Sequence, residues 1–309
     1  MNAYMVESNK KVESFSVLLY YFSGTGNARR LTEVAATRFE EAEYKVKVRN
    51  IEDGGLDEEH DAYSRHGFLF PVHGFGIPPI VTRFMATLSH QPGKEAFFVV
   101  SMGSEEYKIP PSEGKCMSQG KSILEKRGYK VVGADAVSMP NNWIAAFSAP
   151  TSEKAAVIIE TGEQAVREFT EKMINGEEYI KKSHWLSKMA GLIYPWYLRG
   201  MKYMSALWRL DDGCNFCGIC VQICPVGNIR MGQDSPEWGQ ECEYCFRCIN
   251  LCPKESIQCT LIGRTEGRRR YKEPHLKVKD LIRERQTAET FRRIGIEMGN
   301  PASKPGGSS

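Results

Sequence analysis

Short apolar runs alternate with amphipathic segments along the first 175 residues. The run 17–21 is continuous, which is typical of a central parallel strand buried on both faces. Five runs of this kind predict strands over 17–21, 44–50, 67–72, 96–101 and 131–138. The segments that follow have helical periodicity and predict helices over 28–43, 77–88, 112–127 and 151–173.

Strands that alternate with helices predict an α/β fold, here a doubly wound parallel sheet of five strands. Ligands of such sheets bind beyond the carboxyl ends of the strands. The loop 23–28 lies at such an end and contains Ser23, Thr25 and Asn27. N–H groups at the start of a helix attract anions, so this loop is a candidate phosphate site. It is neither a dinucleotide fingerprint, because Arg29 stands at the third glycine position, nor a P-loop.

The segment 185–208 is rich in Trp, Tyr, Leu and Met, and three basic residues, Lys188, Arg199 and Lys202, interrupt it. It predicts no transmembrane helix, because no run of about 18 uncharged apolar residues occurs. The mixture of aromatic and basic residues is typical of a helix on a membrane surface. A linker helix packed between two domains is the alternative, and we favour it because most aromatic stripes belong to a core.

Eight of the ten cysteines form two runs with the same spacing, C-x2-C-x2-C-x3-C-P. Bacterial ferredoxins that carry [4Fe–4S] clusters have this spacing. Structural zinc sites usually have two close pairs of ligands about a dozen or more residues apart. Disulfides are disfavoured because the chain shows no secretory signal. The duplicated spacing therefore favours iron–sulfur over both alternatives.

In two-cluster ferredoxins the fourth cysteine of each run binds the cluster of the other run. The expected ligands of the first cluster are Cys214, Cys217, Cys220 and Cys252. Those of the second cluster are Cys242, Cys245, Cys248 and Cys224. Cys116 and Cys259 fall outside the pattern and are expected to be ordinary thiols.

Composition and length indicate a globular protein of two domains and a linker, with 309 residues, 41% of them apolar and 26% charged. The expected divisions are a loose N-terminus (1–14), an α/β domain (15–175), an aromatic linker region (176–210), a cysteine-rich domain (211–262) and a basic extension with a disordered tail (263–309). The expected location is the cytoplasm.

The net charge of +3 does not predict nucleic-acid binding. Charge is unevenly distributed, because the segment 211–260 has seven acidic residues against three basic ones. An acidic face beside a redox centre can steer a partner of opposite sign, and a solvated surface is the alternative. A basic run follows, with Arg264, Arg268, Arg269, Arg270 and Lys272.

Three loops resemble the cofactor-binding loops of flavodoxins. Ser23-Gly24-Thr25-Gly26-Asn27 resembles the loop that holds the 5′-phosphate of FMN, and 71–78 resembles a loop that covers the flavin ring. The stretch 101–104 lies where flavodoxins have a second ring-binding loop. With the cysteine runs, residues 15–280 resemble the flavodoxin–ferredoxin fusions of the EFR1 family, found in anaerobic bacteria and archaea.

This resemblance implies a flavodoxin-like domain, a small α+β bacterial ferredoxin-like domain, one FMN and two [4Fe–4S] clusters. The implied FMN-binding residues are Ser23, Gly24, Thr25, Gly26, Asn27, Ala28, Val72, His73, Gly74, Phe75, Gly76, Ser101, Met102, Gly103 and Tyr107. Ala28 stands where flavodoxins often have a threonine, and no tyrosine follows Gly103 directly. Either Tyr107 or the ferredoxin-like domain would then cover the ring. Trp143 is expected to belong either to the core or to the flavin site.

These cofactors imply an electron-transfer protein that serves an unidentified redox protein or a low-potential donor or acceptor. We favour this function because nothing places His66, His73 or His90 as a general base, and no catalytic residue is predicted. Two alternatives stay open. One is an iron–sulfur flavoenzyme that reduces a small substrate or oxidises NAD(P)H. The other is a redox or oxygen sensor.

Overall fold

The computed structural model describes residues 15–54, 56–103, 113–261 and 265–282. The first part contains β1 (Ser16–Tyr21), α1 (Asn27–Glu41), β2 (Lys45–Asn50), β3 (Arg65–Pro71), α2 (Pro79–Thr87), β4 (Glu95–Gly103), α3 (Cys116–Lys126), β5 (Lys130–Met139), α4 (Ser152–Ile174) and β6 (Tyr179–Ile180). The second part contains α5 (Trp185–Ala190), α6 (Tyr194–Met204), β7 (Trp208–Leu210), α7 (Ile219–Gln222), β8 (Ile229–Met231), β9 (Pro236–Trp238), α8 (Arg247–Asn250) and β10 (Ile257–Cys259).

The large sheet is parallel and has the strand order β2-β1-β3-β4-β5-β6. Its first five strands have the flavodoxin order, which confirms the predicted fold class. The prediction of five strands is one strand short, because β6 pairs with β5 through Tyr179 and Ile180. A two-residue strand is too short to leave a periodic pattern, so this segment was assigned to the linker.

Alternate residues of β1 enter two different cores. Val17 and Leu19 pack with α1 and α4 on one face of the sheet. Leu18 and Tyr20 pack with α2 and α3 on the other face. All four side chains are buried, which explains why β1 is an uninterrupted apolar run. The helices on both faces leave the carboxyl ends of the strands as the place where loops gather.

The cysteine-rich half consists of two antiparallel strand pairs, β7 with β10 and β8 with β9, and the short helices α7 and α8. The two cysteine runs have the same backbone path. Phe216 and Tyr244 occupy equivalent positions with positive φ, and so do Gly218 and Phe246. Three of these residues are not glycine, and left-handed backbone at such residues is strained and concentrates at functional sites. The repeated sequence spacing is thus matched by a repeated local structure.

Arg247 joins the two halves of the chain. Its side chain is 1% exposed and makes a bidentate ion pair with Glu52, which is 2% exposed, at 2.6 and 2.8 Å. The guanidinium also donates to the backbone oxygens of Ser23 at 2.6 Å, Gly24 at 3.0 Å and Ile223 at 2.9 Å. All three nitrogens of the guanidinium are therefore bonded, which a buried arginine requires.

The segment 265–282 covers the edge of the loop after β1. The N–H of Glu273 donates to the oxygen of Thr25 at 2.9 Å, and the Tyr271 hydroxyl donates to Asn27 at 2.6 Å. Arg268 donates to the oxygens of Ile144 and Ala145. The part of the basic run that the structure describes thus fastens this segment to the first half. The expected loose segment 1–14 and the end of the expected tail, from 283, lie outside the described residues.

Replacing Arg247 by Gln is expected to lower the free energy of unfolding by about 3–5 kcal/mol, because the buried Glu52 would lose its bidentate ion pair with the guanidinium. Urea unfolding followed by tryptophan fluorescence measures the change. Arg230→Gln is the matched control, because the Arg230–Glu237 pair is exposed and its loss should cost less than about 1 kcal/mol. Equal losses in the two variants would show that the buried pair does not hold the halves together.

Candidate functional site

A cavity of about 330 Å³ lies at the carboxyl ends of the parallel strands. Its size is within the range of small-molecule sites, which is roughly 300–1,000 Å³. The loops after β1, β3, β4 and β5 form one side, and α6 and the second cysteine run form the other. The predicted residues that line it are Ser23, Gly24, Thr25, Asn27, Ala28, Val72, His73, Gly74, Phe75, Ser101, Met102 and Gly103.

Two predicted residues are placed differently. A Cβ at Gly26 would lie 2.4 Å from Glu273, and one at Gly76 would lie 2.3 Å from the Tyr194 ring. These two glycines therefore permit close packing behind the cavity and do not line it. Tyr107 lies outside the described residues.

The loop after β1 is held by its own side chains. Gly26 has a φ of 112°, and its N–H donates to the Ser23 hydroxyl at 3.1 Å. The Thr25 hydroxyl accepts a hydrogen bond from Asn142 at 3.0 Å, and the Asn27 amide donates to the oxygen of Pro140 at 2.8 Å. The N–H groups in the first turn of α1 have no partner inside the helix. Such N–H groups and the helix dipole attract anions, so the loop has the features of the candidate phosphate site.

The loop after β3 is a tight turn in which His73 and Gly76 exchange backbone hydrogen bonds at 2.9 and 3.0 Å. Gly74 and Phe75 between them have φ values of 54° and 66°, as a type I′ turn requires. A Cβ at Gly74 would lie 2.3 Å from the ring of Tyr197 on α6. The linker region thus closes directly over this loop.

Two buried polar atoms beside the cavity, Nδ1 of His73 and the hydroxyl of Tyr197, have no hydrogen-bond partner within the part of the chain that the structure describes. Burial lowers the pKa of His73 to about 4 and raises the pKa of Tyr197 well above its usual value. Both groups are therefore neutral near pH 7, and each can bond a bound molecule. Unpaired buried polar groups are costly, so these two atoms fit a cavity whose occupant supplies partners. Neither His66 nor His90 lines the cavity.

Several cavity residues were not predicted from the sequence. Tyr197 on α6 belongs to this set, as do the consecutive residues Tyr244, Cys245 and Phe246 of the second cysteine run. The spacing of Tyr194 and Tyr197 on one helix face was the signal for an inward-facing pair. Trp143, which the sequence left between core and site, lines the cavity.

Aromatic side chains of the second half form one wall of the cavity. The rings of Tyr244 and Phe246 are 4.8 Å apart and perpendicular, and Tyr197 lies 6.4 Å from Tyr244. The sequence offers two candidates to cover a ring in this cavity, Tyr107 and the cysteine-rich half. The cysteine-rich half lies against the cavity, and Tyr107 lies outside the described residues.

The first crossed set of cysteines is grouped in space. Cys214, Cys217, Cys220 and Cys252 line one small cavity. Burial is the main cause that raises the pKa of Cys220 to about 11, and the neighbouring thiols of Cys252, Cys217 and Cys214 contribute to this rise. The fourth member of this set comes from the second run, as the crossed assignment expects.

The second set surrounds Cys248. Burial raises its pKa well above the usual value, and Cys242, Cys245 and Cys224 are the neighbouring thiols that add to this effect. Backbone N–H groups of Asn228 and Tyr244 donate to the sulfurs of Cys224 and Cys242 at 3.2 and 3.4 Å. Cys116 and Cys259 are buried and belong to neither group.

Among the described residues, the buried indole N–H groups of Trp208 and Trp238 make no hydrogen bond of ordinary geometry, but each lowers the pKa of a neighbouring cysteine thiol. They lie beside the thiols of Cys242 and Cys248. Hydrogen bonds to sulfur tune iron–sulfur centres, so these donors fit a thiolate-bound cluster. Within the described ranges, no group of three or more His, Cys, Asp or Glu residues has the geometry of a metal-ion site.

The family model of the 4Fe-4S binding domain matches residues 210–230, which contain the first cysteine run. No curated protein matches the chain. Similar solved structures include a flavodoxin from the domain Archaea (16% identity, 51% of this chain and 99% of that chain, TM-score 0.34). The Megasphaera elsdenii flavodoxin (21%, 49% and 98%, TM-score 0.34) and an azoreductase from Bacillus anthracis (14%, 51% and 99%, TM-score 0.37) are also similar. The fold assignment rests on the strand order of the large sheet.

Gly74→Ala is expected to destabilise the protein through left-handed backbone and through contact with Tyr197. Gly93→Ala is the matched control, because Gly93 also has a positive φ, 76°, but has nothing within 4 Å of a Cβ. The control should lose about 1–2 kcal/mol of unfolding free energy. Gly74→Ala should lose about 1–3 kcal/mol more than the control, because the added methyl group overpacks the contact with Tyr197. Equal losses in urea unfolding would contradict the contact.

Proposed function

We propose that this protein is an electron-transfer protein that holds one FMN and two [4Fe–4S] clusters and serves a separate redox partner. One observation carries the proposal: the cavity at the strand ends shares a wall with the second group of cysteines. Tyr244, Cys245 and Phe246 line that cavity, and Cys245 is also a member of the second cysteine set. A flavin site and a cluster site would therefore be direct neighbours.

The residues of the first half suit FMN. The N–H groups at the start of α1 would bind the phosphate, as their lack of intrahelical partners allows. His73 Nδ1 and the Tyr197 hydroxyl, both neutral and unpartnered, would bond the polar edge of the ring. The aromatic wall of Tyr244 and Phe246 would exclude water. FMN supplies one- or two-electron chemistry when bound, and each cluster supplies one-electron chemistry.

Backbone contact links the two sites. A Cβ at Gly24 would lie 2.8 Å from the carbonyl oxygen of Cys245, so the phosphate loop and the cysteine loop touch. Arg247 bonds the oxygens of Ser23 and Gly24 from the same loop as Cys245. These contacts fix the separation of the two sites without a docking step.

The cluster of the first cysteine set would exchange electrons with the redox partner. Cys217 is exposed, and the neighbouring Phe216 is 54% exposed. The acidic side chains of Asp212, Asp234 and Glu241 are also exposed in this half. A protein partner with a basic face would be steered to this surface.

Cofactor analysis under strictly anaerobic conditions tests the proposal. The purified chain is expected to hold about eight irons and one FMN. Adding NADH or NADPH should leave its absorption unchanged on the timescale of mixing. Rapid bleaching by either nucleotide would instead indicate an enzyme. A protein with zinc and no iron would overturn the proposal.

Cys252→Ala is expected to remove the cluster of Cys214, Cys217 and Cys220, so its electron paramagnetic resonance spectrum should match that of Cys217→Ala. Cys245→Ala should give the complementary spectrum. Cys259→Ala, a buried thiol outside both sets, should keep all of the iron. A Cys252→Ala spectrum that matches Cys245→Ala would contradict the crossed assignment.

A further inference from the structure

The outer face of the segment 179–210 is apolar and exposed. More than half of the large apolar side chains that the described part of the chain exposes lie here: Ile180, Trp185, Met189, Leu192, Ile193, Trp196, Leu198 and Tyr203. Trp185 is 65% exposed and Trp196 is 70% exposed. Trp185, Met189, Leu192 and Trp196 recur every three or four residues, as one face of a helix does. A contiguous apolar patch on a folded protein marks an interaction surface.

The inner face of the same segment is fixed to the first half. The Ser187 hydroxyl accepts a hydrogen bond from the N–H of Gly114 at 2.8 Å. The Tyr194 hydroxyl donates to the oxygen of Ile77, and Tyr197 packs on Gly74. The segment is therefore docked on the first half, and its inward contacts hold the apolar face outward.

The charge of this segment indicates what binds to its exposed face. The sequence from 179 to 210 contains no acidic residue and six basic ones, of which Lys181 is paired with Asp135 of β5; the other five are Lys182, Lys188, Arg199, Lys202 and Arg209. Arg199 lies over the Trp196 ring at 5.3 Å, and Lys202 lies over the Tyr203 ring at 4.8 Å. Aromatic rings paired with cations on one exposed face suit the boundary between lipid headgroups and acyl chains.

We infer that this face binds the surface of an anionic lipid bilayer. Trp185, Leu192 and Trp196 enter the headgroup region, and the basic side chains contact the lipid phosphates. A second copy of the chain is disfavoured, because pairing this face with itself would bring the Arg199 and Lys202 cations of both copies together. No helix of the described residues is long and apolar enough to span a bilayer.

The position of the redox cavity follows from this contact. Tyr197 and Met204 line the cavity from the same segment whose other side meets the lipid. A helix with its side chains is about 10 Å across, so the cavity lies about one helix diameter from the membrane surface.

Vesicle flotation of the full chain with its cofactors tests the inference. The vesicles are phosphatidylcholine alone, or phosphatidylcholine with about one third phosphatidylglycerol. The chain should float with the anionic vesicles, and raising the salt to about 1 M should weaken this binding. It should remain in solution with the neutral vesicles.

Two double variants separate the apolar and the electrostatic contributions. Leu192→Glu with Trp196→Glu should weaken binding to anionic vesicles at least about a hundredfold. Arg199→Gln with Lys202→Gln should weaken it about twentyfold. Val157→Glu is the matched control, because Val157 on α4 is 63% exposed but lies outside this segment, and its binding should stay within about twofold.

Iron content, absorption spectrum and molar mass are measured for every variant. Unchanged cofactor content with lost vesicle binding supports the inference and does not depend on the proposed function. Absence of binding to anionic vesicles, or equal binding to neutral ones, overturns it. So does a dimer of the wild-type chain that Leu192→Glu with Trp196→Glu dissociates, because the face would then be a contact between copies.

Discussion

The position of one guanidinium decides how the two halves of this protein meet. Arg247 lies between Cys245 and Cys248 and is bonded to Glu52 and to the backbone of the loop after β1. Burying this ion pair costs much of what the attraction returns, so its net stabilisation is small. Separating the two side chains, however, breaks a buried ion pair, which costs much more free energy than forming it returns. Arrangements of the two halves that move Arg247 away from Glu52 are therefore unfavourable. The pair therefore acts on the geometry of the interface more than on its strength.

The candidate site depends on that geometry. The parallel sheet provides the phosphate loop and the turn of Gly74, but these form only one side of the cavity. The other side consists of Tyr197 and the loop that holds Cys245, so the cavity has its shape only when both halves are in place. Proposed flavin and cluster sites that share a wall need no encounter step between them, and the only diffusional step left is the meeting with an outside partner.

The sequence predicts local features of this protein well. β1 is predicted because a strand buried on both faces must be apolar throughout, and the cysteine sets follow from a spacing that occurs twice. Features that depend on distant contacts are missed. In the sequence, Arg247 is one basic residue of an acidic segment. Its partner Glu52 lies almost 200 residues earlier, so no local pattern points to the pair. Arg268 reads as part of a surface run, but it bonds carbonyl oxygens of the first half. Tyr197 reads as part of an aromatic stripe, and β6 leaves no pattern at all.

The central claim is that the two halves form one fixed redox unit. The most direct test is to reduce the flavin with a light pulse and to follow the absorption of the clusters at several protein concentrations. We expect a first-order change whose rate constant does not alter on dilution, because the proposed sites belong to one molecule and share a wall. A rate that falls in proportion to dilution would show that electrons pass between molecules, and it would contradict the account.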